Sequence, residues 1–145
     1  MKLTSPVFEN NKMMPSKFTV DGQGVNPPLD IENIPAGAKS LALIVDDPDA
    51  PSGDFVHWVV YDIPVVNKIE ENSVPGKEGI NTTGGKEYVP PAPPFGTHRY
   101  VFKIYALDEK LALEGNINKK ALEKTMQAHM LDKVELIGLY KRKSK

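Results

Sequence analysis

The chain has no cysteine. Disulfide staples, thiolate zinc sites and cysteine nucleophiles are therefore excluded. It also lacks a dominant charge: 18 basic residues face 19 acidic ones, for a formal net charge of -1. No global basic field is available to draw in nucleic acid or an acidic membrane. Long apolar runs are missing too. Nothing approaches the length of a membrane span, and the N-terminal MKLTSPVFENN has no continuous apolar signal core. There are no internal repeats, no heptad seam, no G-x-x-x-x-G-K phosphate loop and no dinucleotide fingerprint. These absences lead to the expectation of a cytoplasmic protein without a membrane span or a nucleic-acid partner.

Proline and glycine are plentiful, with 13 and 11 residues among 145. That density implies many turns between short strands in one domain spanning 1–145. Short strands or extended edges are expected at residues 3–8, 17–20 and 29–31. Ser40 to Val45 is apolar at nearly every position and reads as a strand buried on both faces. Phe55 to Ile63 reads the same way. Strict alternation places Phe55, His57, Val59 and Tyr61 on one face, and Val56, Trp58 and Val60 on the other. Residues 65–88 form a polar, glycine-punctuated excursion. Arg99 to Leu107 is a further strand, with His98, Tyr100, Phe102 and Ile104 sharing a face. Asn118 can cap a helix running to Leu131, with Leu122, Met126 and Met130 on its apolar stripe. Val134 to Tyr140 closes the fold as a last strand. The basic tail from Lys141 to Lys145 reads as a solvated, frayed terminus. The whole pattern implies an all-β sandwich with one helix in its C-terminal half.

The chemistry concentrates at two loop–strand junctions. The first, LALIVDDPDAPSGDFVHWVVYDIP, carries Asp46, Asp47, Asp49 and His57. The second, YVPPAPPFGTHRYVFKIYAL, carries Pro94, His98, Arg99 and Tyr100. His98 and Tyr100 lie two apart on a strand and so point to one side, after a loop stiffened by proline. Imidazole and phenol both donate hydrogen bonds to anions. Asp47 is expected to accept the ring N–H of His57 and fix its tautomer. Asp-Pro pairs also start turns, so at least one aspartate of the knot is structural, and an Asp49–Arg99 ion pair would link the two loops. Trp58 reads as a core anchor and His129 as a packing residue. Asp47, His57 and His98 have the composition of a two-histidine, one-carboxylate metal set, and Ser52 or Thr97 could serve as a nucleophile. Neither reading is supported by spacing, and no G-x-S-x-G elbow exists.

DPDAP followed by HWVVYDIP and then PPFGTHRYVFKIYALD resembles the phosphatidylethanolamine-binding protein family, also called Raf kinase inhibitor protein-like, in its short prokaryotic branch. PPL before the IPAG turn, the Gly-Ile-Asn segment at residues 79–81, and the closing HML and GLY segments extend the resemblance over nearly the whole chain. The resemblance implies an antiparallel Greek-key β-sandwich with a small pocket at one end. The pocket residues it implies are Asp47, His57, Pro94, His98 and Tyr100. The ligands it implies are phosphate, phosphoethanolamine, acetate or similar anions, and a kinase or serine protease is the implied protein target. No common enzymatic activity, cofactor or metal comes with it. The alternative is an enzyme built on Asp47, His57 and His98. A monomer or a homodimer is compatible with this reading. Relatives usually keep a glycine just before the double proline of the second motif, where this chain has Ala92. The chain also stops soon after Tyr140, without the extension that borders the pocket in animal members, so a more open pocket is expected.

Overall fold

The computed structural model describes residues 1–143. Nine strands and one α-helix follow in order: β1 (Lys2–Thr4), β2 (Lys12–Met13), β3 (Leu29–Glu32), β4 (Ser40–Asp47), β5 (Phe55–Ile63), β6 (Lys68–Ile69), β7 (Lys77–Glu78), β8 (His98–Leu107), α1 (Lys119–Met126) and β9 (Met130–Tyr140). The six-stranded sheet runs β2-β9-β8-β4-β5-β7 and the three-stranded sheet β1-β3-β6. Leu3, Leu29, Ile31 and Ile69 of the small sheet share one buried core with Leu41, Leu43, Val45, Trp58, Val60, Tyr100, Phe102 and Ile104 of the large one. The sheets are not purely antiparallel as expected. β2 runs parallel to β9, pairing Lys12 with Gly138 and Met13 with Leu139.

The apolar continuity of β4 has the physical cause inferred for it. Leu41, Leu43 and Val45 face the core between the sheets, while Ala42 and Ile44 face a second cluster completed by Leu122 and Met126 of α1. The helix begins where expected, with Asn118 Oδ1 accepting from Ala121 N at 2.9 Å. It ends at Met126, not at Leu131. His129 leaves the helix, its backbone N–H returning to Met126 O at 2.9 Å and its Nδ1 meeting Asp108 Oδ1 at 2.9 Å. The reason is the ladder beyond it: β9 pairs with β8 from Met130 to Tyr140. Sheet hydrogen bonds along that length prevail over the local helical pattern, and Met130 lies exposed instead of on the helix stripe. Residues 17–20 form no strand, since Ser16–Phe18 is a turn of 3-10 helix that buries Phe18. Of residues 3–8, only Leu3 and Thr4 are strand.

One irregularity decides where the site can form. In the β4–β5 ladder, Val45 pairs with Trp58 but Asp46 pairs with Val56, so His57 is an extra residue, a β-bulge. The bulge resets the alternation. Val59, Tyr61 and Val56 pack on the helix side, whereas His57 turns to the Tyr100 side with Trp58 and Val60. The simple period-two assignment, which put His57 with Val59 and Tyr61, is corrected by this one residue. The polar stretch 65–88 is held by buried amides. Asn26 Nδ2 donates to Glu70 O at 2.9 Å, Ser73 N donates to Asn26 Oδ1 at 2.9 Å, and Asn81 Nδ2 donates to Glu87 O at 2.8 Å.

Gly79 sits where this stretch meets the helix cap. A Cβ there would lie 2.2 Å from Ile117 O and 2.8 Å from Val59 Cγ1. The backbone oxygen cannot rotate away, so Gly79→Ala is expected to destabilise the fold by about 1–3 kcal/mol, the cost of overpacking a filled site. An unchanged denaturant midpoint would contradict this.

Candidate functional site

The C-terminal end of β4 carries two adjacent carboxylates on opposite faces, both 3% exposed. Asp46 faces the helix side. Its Oδ2 lies 3.1 Å from Lys103 Nζ and 3.3 Å from Lys119 Nζ, and Lys119 Nζ also reaches Asp54 Oδ2 at 3.1 Å. Burial penalises the Asp46 charge, but the hydrogen bond from Asp54 and the two ammoniums outweigh it and hold the carboxyl below its usual range. Burial and the shared hydrogen bond push Asp54 the other way. Asp46 Oδ1 is buried without a hydrogen-bond partner among the described residues.

Asp47 faces the opposite side and uses both oxygens. Oδ1 accepts from Asp49 N at 2.8 Å, and Oδ2 meets His98 Nδ1 at 2.7 Å. The expected partner was His57, but that ring is held differently. His57 Nδ1 lies 2.6 Å from the carbonyl of Val89. A carbonyl and a carboxylate can only accept, so both imidazoles carry their proton on Nδ1. The Nε2 atoms have no hydrogen-bond partner among the described residues. The His57 ring is flanked by Phe55, with centroids 4.7 Å apart, and meets Tyr100 edge-on at 5.3 Å.

These side chains meet in one pocket of about 250 Å3. Asp47, His57, Pro94, His98 and Tyr100 all line it, as the two motifs implied. Residues 65–88 do not line it; the Ala50–Ser52 turn, Phe55 and the Val89–Pro94 run complete the walls. Sequence reasoning missed Val89 because its contribution is a backbone carbonyl, which any residue could supply. It also missed Phe55 as a wall of the pocket, although alternation already put this ring on the same face as His57. Burial pushes the His57 imidazole below its ordinary value, against the opposing pull of the Val89 carbonyl and the nearby aspartates. Burial and the Asp47 charge push the Tyr100 phenol up, so it stays a donor at any ordinary pH.

The rim is braced by the expected ion pair. Arg99 Nε and one terminal nitrogen meet the two Asp49 oxygens at 2.9 and 2.8 Å, and Arg99 N adds a third bond at 2.9 Å. The guanidinium holds the Asp49 carboxyl down at about 2. Asp49 is thus the structural aspartate of the knot. Trp58 is a core anchor as expected, with Nε1 donating to Glu78 Oε2 at 2.7 Å. His129, in contrast, is half-buried in a turn and hydrogen-bonded to Asp108, not packed on a helix. Among the described residues no group of three His, Cys, Asp or Glu side chains is arranged to hold a metal ion. Among the described residues no helix is long and apolar enough to cross a membrane.

The protein is mostly β, its two sheets share one core, and a histidine-lined pocket lies where β4, β5 and β8 converge. The chain belongs to the phosphatidylethanolamine-binding protein family, whose model matches residues 4–141. A UPF0098 protein of Methanothermobacter thermautotrophicus is 42% identical over 150 residues, covering 98% of this chain and 99% of the relative. One from Pyrococcus horikoshii is 44% identical over 151 residues, covering 96% of this chain and 76% of the relative. Among solved structures, a phosphatidylethanolamine-binding protein homologue from Chlamydia trachomatis superposes with a TM-score of 0.94 at 39% identity, covering 98% of this chain and 97% of that one. Escherichia coli YbcL, described as a member of the mammalian family, superposes with a TM-score of 0.88 at 25% identity, covering 98% of each chain.

The lowered His57 value has a consequence for folding. Since it lies below the 6.5 of an ordinary imidazole, the unfolded chain takes up this proton first as the solution is acidified. The associated stability is complete above about pH 6.5 and is lost as pH falls toward the folded-state value. Denaturant midpoints measured from neutral to mildly acid pH are expected to fall more steeply for wild type than for His57→Gln. Parallel curves would refute it.

Proposed function

We propose that this protein is a binding protein that holds a single phosphate, phosphoryl or carboxylate group in the pocket of Asp47, His57, His98 and Tyr100. The observation that carries this reading is the pair of imidazoles, each with Nδ1 committed to a protein acceptor and Nε2 left for a ligand. The prolines of the wall have no N–H to offer. The side-chain donors that the two motifs supply to an anion are the Tyr100 phenol and whichever Nε2 is protonated. His98 Nδ1 donates to Asp47, while the desolvated His57 is neutral at physiological pH. A neutral His57 presents a lone pair, which repels a bare oxyanion and accepts from a ligand that carries its own proton. The pocket thus binds a hydrogen-bearing phosphate monoester or takes up a proton with the anion. Action as a kinase or serine-protease inhibitor would use the same pocket as the dock for a phosphorylated or acidic side chain.

Two titrations test this. Phosphate followed through the ring signals of His57 and His98 is expected to move both in wild type, with about tenfold weaker binding in His98→Ala after loss of a ring nitrogen that faces the anion. Acetate keeps one charge from mildly acid to mildly alkaline solution and so isolates the protein's own proton. Its affinity is expected to fall as pH rises through the His57 value, by at most about tenfold per unit for one linked proton. Silence of both rings at millimolar phosphate would defeat the reading. PH-independent acetate affinity would remove the role given to His57.

A further inference from the structure

The wall formed by Pro93 and Pro94 has a second side. There it borders a cleft of about 380 Å3, closed by Phe95 and Gly96 and by Lys141, Arg142 and Lys143. The expected frayed tail is anchored over these residues. Tyr140 Oη donates to Asp21 Oδ2 at 2.5 Å, Lys143 N donates to the same oxygen at 3.1 Å, and Arg142 Nε lies 4.0 Å from Asp21 Oδ1. Residues 144 and 145 fall outside the described residues. Arg142 Nε is buried and has no hydrogen-bond partner among the described residues. Asp21 is the one carboxylate paired with this strip among them, so three consecutive basic residues line the cleft with a single paired negative charge. Beside them Phe95 is 72% exposed on the proline-stiffened loop.

We infer that this cleft is a cationic subsite adjoining the anion pocket, and that the two together read an acidic phosphopeptide segment of a partner protein. The inference rests on the pocket reading above: the phosphoryl group enters the histidine pocket, and neighbouring carboxylates cross the Pro93–Pro94 wall to Lys141, Arg142 and Lys143. Phe95 covers the chain between them. The shape favours a peptide over a bilayer, because a flat headgroup layer cannot fill a cleft, whereas an extended chain can. The charge pattern favours acidic over neutral flanking residues, since exposed cations add affinity only when opposed by anions.

The test compares two synthetic pentapeptides, each with a central phosphoserine, one flanked by two glutamates on each side and the other by glutamines. Wild type is expected to bind the glutamate peptide about three- to tenfold more tightly at low salt, the range for two or three exposed ion pairs. The preference is expected to vanish in high salt and in Lys141→Gln/Lys143→Gln. That variant keeps the Asp21 anchor and should bind inorganic phosphate as wild type does. Equal binding of the two peptides by wild type, with phosphate still bound, overturns the subsite and leaves the pocket reading intact. A preference retained in the variant also overturns it. So does lysine-dependent binding to phosphatidylserine vesicles without any peptide preference, which would assign the strip to a membrane surface. Failure of phosphate and both peptides to bind removes the pocket reading, and the subsite with it.

Discussion

A buried carboxylate must have its oxygens satisfied, and the way Asp47 does so shapes the whole end of the molecule. One oxygen takes the Asp49 amide and so folds the 48–50 turn. The other takes His98 and so joins β4 to the start of β8. Asp49, once placed, captures Arg99 and clamps the same two loops from outside. The local turn, the contact between motifs and the orientation of one imidazole therefore depend on a single side chain. Its neighbour Asp46 does comparable work on the opposite face, tying β4 to Lys103 of β8 and Lys119 of α1. Two consecutive aspartates at a strand end thus organise both faces of the sheet.

Most of the fold could be read from local pattern where pattern and packing agree. The continuous apolar run of β4 corresponds to a strand covered on both sides, and the alternation of β8 put His98, Tyr100, Phe102 and Ile104 on the correct face. The reading failed where long-range pairing outweighed local preference. Residues 130 and 131 continue a helical stripe on paper but join β9, because β8 offers a long row of ladder partners. The parallel β2–β9 pair was equally hidden, as two residues of strand leave no periodic signature.

The site was legible to the extent that it consists of side chains. Asp47, His57, Pro94, His98 and Tyr100 come together as the two motifs implied, although the carboxylate pairs with the other histidine. What could not be read was the backbone. The Val89 carbonyl fixes the tautomer of His57, and no residue type announces a carbonyl. The bulge that aims His57 inward has no compositional mark either.

That bulge also separates two demands on the chain. Removing the extra residue would let Val56 and Trp58 follow one another along an unbroken ladder opposite Asp46 and Val45, giving a more regular sheet and no inward-facing imidazole. The regular architecture and the inward-facing imidazole therefore differ by one codon. A lineage under pressure for robustness alone has a short route to losing the site while keeping the scaffold. An in-frame residue at this position is therefore the geometric requirement for an imidazole on the pocket side of β5.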